Sequence, residues 1–222
     1  MVIQLALGAF ILQLAALYWI SRISIRELFQ VLYTFFRSDH VVFSIISFIF
    51  LPGTIIHELS HFFMAMILLL RVREIHIFPE WEGRYIKLGR VLYEKQDVFR
   101  GIIVGIAPVI VGILLLWWIS TIPLPTIWFK LGIGYVIFIL SSTMFSSKQD
   151  LIDIVYIIPI GIMIALIIYV LNIDVSIIFR NKAFLAGLEN FLYAINGYML
   201  LSMGIHTVMI IGMKLVQKLK HR

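Results

Sequence analysis

The chain contains no cysteine. This excludes disulfides, thiolate metal ligands and a cysteine nucleophile together, so any metal must be held by His, Asp or Glu. Charge is also scarce: 14% of the 222 residues are Asp, Glu, Lys or Arg against 62% hydrophobic, and mean hydropathy is +1.04. No soluble domain of this size hides so much apolar surface, and the composition is that of a polytopic membrane protein. Acids are scarcer than bases, 12 against 18, which leaves a net charge of +6. The bases stand between and after the apolar runs, so the expected partner is the lipid bilayer with its anionic headgroups, not nucleic acid. There is no internal repeat and no low-complexity segment.

What is present is a series of apolar runs, at 2–20, 41–70, 101–120, about 126–146, 151–171 and about 191–213. They predict an all-α membrane protein of about six transmembrane helices, folded as a single polytopic domain over 1–222. The first run has no basic stretch ahead of it and no small-residue cleavage site, and reads as a retained helix. Residues 21–40 mix Arg22, Arg26, Glu27 and Arg37 with Ile23, Ile25, Leu28, Phe29 and Leu32, as an amphipathic segment lying at the interface would. The run 41–70 is too long for one straight crossing; Pro52 and Gly53 offer a break, after which a helix can run from Thr54 to Leu70.

Residues 71–100 are the only sizeable polar block, with seven Lys or Arg and five acids. Val72–Phe78 and Tyr85–Val91 are β-rich and partly alternating, with a turn-like Pro79–Arg84 between them, which predicts a small cytoplasmic β-hairpin between helices 2 and 3. His76, inside a strand with no neighbouring histidine at ligand spacing, reads as a solvated side chain. With the N-terminus inside, twelve basic residues flank the inner ends of six crossings and six flank the outer ends. The expected orientation therefore has both termini and the hairpin cytoplasmic. Trp19, Trp117, Trp118 and Trp128 fall at the outer ends of their runs, as an aromatic belt would.

The thirty residues 41–70 contain His57, Glu58 and His61 in an otherwise apolar stretch, and ionisable groups at membrane depth are costly. His57 and His61 are i and i+4, about 6 Å apart along a helix and on one face, so one tetrahedral cation can bridge them. Glu58, about 100° round the helix, can reach a water on that cation without ligating it. The pattern is His-Glu-x-x-His, the zinc-hydrolase motif. The plainer alternative, two core histidines and a stray carboxylate, would require separate compensation of three polar groups inside an apolar run.

A catalytic zinc ordinarily takes three protein ligands and keeps one position for water. The six-crossing arrangement brings Asp150 to the side toward which the motif is displaced. Asp150 is the expected third ligand and Asp153, at i+3, the alternative. Ser147 and Asp150 also form a capping-box pattern opening the next helix. Glu189 and His206 are weaker candidates; His206, alone on an apolar helix, reads as a hydrogen-bonded core residue.

On these residues the chain resembles the site-2 protease family of intramembrane zinc metalloproteases, as a divergent member. His57, Glu58 and His61 match its first motif, Gly105-Ile106-Ala107-Pro108 is loosely similar to its Gly-Pro motif, and Asp150 stands where the family has its aspartate ligand. The resemblance covers about residues 41–155, including the hairpin insertion at 71–100. Asp150 departs from the pattern in being followed by Leu151, and no Asn trails the Gly-Pro motif. The resemblance implies Zn2+ held by His57, His61 and Asp150, Glu58 as general base, and hydrolysis of peptide bonds in membrane-spanning substrates. Two other readings are a non-proteolytic zinc-binding membrane protein, such as a chaperone or sensor, and a metal or ion transporter using His57, His61, Asp150 and His206.

Overall fold

The computed structural model describes residues 2–78, 80–82, 85–87, 89–94, 97–123, 125–145, 157–172 and 181–220. Among them are six helices: α1 (Val2–Phe36), α2 (Asp39–Ile67), α3 (Val98–Ser120), α4 (Ile127–Thr143), α5 (Ile157–Val170) and α6 (Lys182–Lys220). Between α2 and α3 lie four short strands, β1 (Val72–His76), β2 (Glu80–Glu82), β3 (Tyr85–Lys87) and β4 (Arg90–Tyr93). Among the described residues, α1, α2, α3 and α6 are long and apolar enough to cross a membrane; α4, with 17 residues, is shorter than the ~20 a crossing needs.

Large apolar side chains cover the outside, and hydroxyl and imidazole groups are buried among the apolar ones inside. Phe48, Trp128 and Leu219 are more than 70% exposed, whereas Ser24, Ser141, Ser202 and His206 are 0% exposed. That distribution is compatible with an integral membrane protein, whose helices meet through small and hydroxyl-bearing side chains while apolar ones face lipid.

Several expectations are corrected. The 21–40 segment does not lie flat: α1 continues unbroken to Phe36, and Arg22 turns inward to donate to the Phe145 carbonyl at 3.0 Å. Trp19 consequently stands mid-helix, not at a helix end. Pro52 does not break α2. The helix runs through it and stops at Ile67, where Leu69 takes φ 55° and the amides of Leu69 and Leu70 bond back to Met66 and Ala65, a Schellman-type end built on leucine.

α1 and α6 pack side by side and parallel: Asn196 donates to the Ala6 carbonyl at 2.9 Å, Gln217 to Glu27 at 3.1 Å, and Lys220 to the Thr34 carbonyl. The same pairing sets residues 2 and 220 at opposite ends of the α1–α6 pair.

The hairpin forms, nested one step deeper than its sequence pattern. β1 pairs antiparallel with β4, His76 opposite Arg90, and β2 pairs with β3, Glu80 opposite Lys87 and Glu82 opposite Tyr85. Residues 80–82, read as part of the turn, are strand, paired with Tyr85–Lys87. Exposed pairs Arg73–Glu94 (2.9 Å) and Arg90–Glu74 (3.0 Å) brace the outer ladder. His76 is half-buried and lies 3.7 Å from Glu74.

Candidate metal centre

α2 is seated from two sides. Gly53 lets α4 approach so closely that a Cβ there would stand 2.3 Å from Ile139 Cγ2 and 2.5 Å from Thr143 Oγ1. In the last turn of the helix, Ala65 packs with Leu70 and Val104, and Val72 and Tyr93 of the hairpin lean on that cluster. His57, Glu58 and His61, spaced between these two anchors, are 4%, 8% and 7% exposed.

The two imidazoles stand edge to face, with centroids 4.8 Å apart and planes at 86°. Their Nε2 atoms approach to 3.2 Å. Two nitrogens bound to one tetrahedral zinc at ~2.0–2.1 Å lie about 3.3–3.4 Å apart, close to the separation of this pair. His61 Nδ1 lies 2.8 Å from the Val104 carbonyl oxygen, which can only accept; Nδ1 therefore carries the proton and Nε2 presents its lone pair toward His57.

Comparison with protein-family models, curated proteins and solved structures returns no match. The reading of the site rests on this chain's own residues.

Glu58 meets the hairpin. A Cβ on Gly89, just before β4, would stand 2.6 Å from Glu58 Cγ and 2.9 Å from Oε1, so only glycine lets the strand backbone lie against this carboxylate. The sequence carried a signal for this contact, since an isolated glycine within a strand pattern marks close backbone approach. The Val104 carbonyl, a backbone atom, had no such signal in residue identity.

Of the predicted site residues, the structure brings His57 and His61 together, with Glu58 buried on the same helix and set against Gly89. Asp150 and Asp153 lie outside the described residues, and among the described ones no group of three His, Asp or Glu gathers at one point. Glu189 and His206 do not join the pair; His206 Nε2 is 3.0 Å from Ser141 Oγ instead. The chain leading to Asp150 leaves from a fixed place: Thr143 sits against Gly53, one turn from His57, and Phe145 is tied to α1 by Arg22 and by edge-on contact with Tyr18. Ser60, Ser141 and Ser142 each donate to a carbonyl of their own helix, as packing residues do.

Proposed function

We propose that the protein is an intramembrane zinc metalloprotease, a divergent relative of the site-2 protease family, hydrolysing peptide bonds of membrane-spanning substrates. The observation that carries this reading is the convergence of two buried Nε2 atoms at 3.2 Å with a buried carboxylate on the adjoining residue. His57 and His61 hold the ion, with Asp150 as third ligand and Asp153 as the alternative. Zinc supplies a bound water of pKa near 7. Glu58 takes the proton of the attacking water and passes it to the leaving nitrogen. A purely structural metal site has no use for that base, which is why this reading is preferred to a chaperone or sensor.

A substrate helix hides its scissile carbonyls in internal hydrogen bonds and must unwind before attack. The Gly89 contact supports a role for the hairpin here: it sets an extended strand beside Glu58, where an unwound segment can be held by strand addition. The seven basic residues of 71–100 favour the cytoplasm for the face that carries the hairpin.

The test is Glu58→Gln, assayed on single-span substrates in detergent alongside metal content. Turnover is expected to fall about 10²–10⁴-fold with zinc retained. Unchanged turnover would remove Glu58 from the mechanism. Zinc lost from His57→Ala and kept in Asp150→Ala would preserve the centre and move the third ligand to Asp153.

A further inference from the structure

The orientation of His61 is set by a backbone oxygen, and that oxygen is free for a reason found four residues further on. In an α-helix the carbonyl of residue i accepts from the N–H of residue i+4. Four residues after Val104 comes Pro108, inside α3, and proline has no N–H. The Val104 carbonyl therefore has no partner from position 108, although Val104 itself is 0% exposed. A buried carbonyl in that state needs a donor, and His61 Nδ1 stands 2.8 Å away.

We propose that Pro108 is a positioning residue of the zinc site: by lacking an N–H it reserves the Val104 carbonyl for His61 Nδ1–H, which keeps the His61 Nε2 lone pair aimed at the point shared with His57. The inference rests on the zinc reading given above and extends it to a residue on another helix. A proline alone does not create such a device. Pro52 in α2 likewise withholds an N–H, from the Phe48 carbonyl, but Phe48 is 79% exposed and faces outward. What distinguishes Pro108 is register, because the carbonyl it releases faces α2 at the level of the motif.

Two consequences of proline must be separated, the missing N–H and the bend its ring imposes. Pro108→Ala restores the N–H and relaxes the ring clash. Replacing residue 108 by the α-hydroxy acid analogue of alanine relaxes the clash but leaves no N–H. Both full-length proteins are prepared in detergent, and two quantities are read: the His61 tautomer of the metal-free protein, from imidazole 15N shifts at a pH where the ring is neutral, and zinc affinity by competition with a chelator.

The wild type is expected to show His61 protonated on Nδ1. Pro108→Ala is expected to give a mixture of tautomers and to bind zinc about 10–100-fold more weakly. The ester variant should keep the wild-type tautomer and an affinity within about threefold of wild type. An Ala variant with the wild-type tautomer and affinity overturns the proposal, as does an ester variant that loses the Nδ1–H form; the latter decides the matter even if the Ala protein does not fold. A wild type that binds no zinc sinks the metal reading, while the metal-free tautomer still decides the role of Pro108.

Discussion

Among the described residues, histidine is buried in two places, and the two are built oppositely. On α2, His61 donates from Nδ1 to a carbonyl and turns Nε2 toward a second imidazole. On α6, His206 is 0% exposed and its Nε2 lies 3.0 Å from Ser141 Oγ, whose own hydrogen is directed at the carbonyls of Ile137 and Phe138. Ser141 must therefore accept, and His206 carries its proton on Nε2. Its Nδ1 is buried with no hydrogen-bond partner among the described residues. Burial and residue type are the same in both places. The tautomer, and whether a second imidazole faces the lone pair, separate the candidate metal site from the packing site.

The largest expected effect breaks this comparison directly. His57→Ala or His61→Ala should lower zinc affinity by more than 100-fold, because a lone imidazole inside an apolar bundle cannot hold the ion, whereas His206→Ala should leave stoichiometry unchanged. Metal analysis of the three purified proteins measures it. Zinc lost from the His206 variant alone would reverse the assignment of the two sites.

Next in size is the contact over Glu58. Valine at position 89 cannot be accommodated 2.6 Å from Glu58 Cγ, so Gly89→Val must push the hairpin off the carboxylate or displace the carboxylate itself. Cleavage of a single-span substrate should fall about 10²-fold, the scale of an ångström-sized misplacement of a reacting group, with zinc content intact. Loss of zinc instead would mean that the hairpin supports the ligands and not the base.

The contrast also explains what could be read from the sequence. His-Glu-x-x-His was legible because i,i+4 spacing on any helix fixes which side chains share a face, whatever surrounds them. The hairpin was legible from alternation, although Glu80–Glu82 looked like turn because proline precedes it and glycine follows. The packing of α6 along α1 was not. Hydropathy marks apolar length but carries no direction, and the parallel run of α6 along α1 depends on side chains such as Asn196 and Gln217 reaching a partner some 190 residues away. α1 was read as ending near residue 20 for a related reason. Arg22, Arg26 and Glu27 look like interfacial charges until Arg22 is seen to satisfy Phe145 and Glu27 to lie against Gln217 and Lys214.

A smaller effect sharpens the comparison at the support of each site. Gly53→Ala inserts a methyl against Ile139 and Thr143, and Ile139 is β-branched and 2% exposed, with little room to yield. Overpacking of this kind costs about 1–3 kcal/mol. Thermal unfolding in detergent should show the loss, and because α4 is forced away one turn from His57, zinc affinity should weaken modestly with it. Destabilisation with unaltered affinity would show that α4 braces the fold without bearing on the metal pair.

The smallest effect is expected where a buried histidine is removed from the packing site. In His206→Leu the Ser141 hydroxyl keeps its bonds to Ile137 and Phe138, so no donor is stranded, and the unpartnered Nδ1 disappears with the ring. Replacing a partly satisfied polar group by an apolar one of similar bulk is close to neutral, so stability should change by less than about 1 kcal/mol. The same replacement at His61 differs in kind: it takes away the donor that meets the Val104 carbonyl and leaves a buried acceptor open, which costs about 1–3 kcal/mol even in metal-free protein. Unfolding of the two leucine variants, both stripped of metal, therefore tests the contrast without relying on zinc at all. Equal losses would show that the two histidines are held alike.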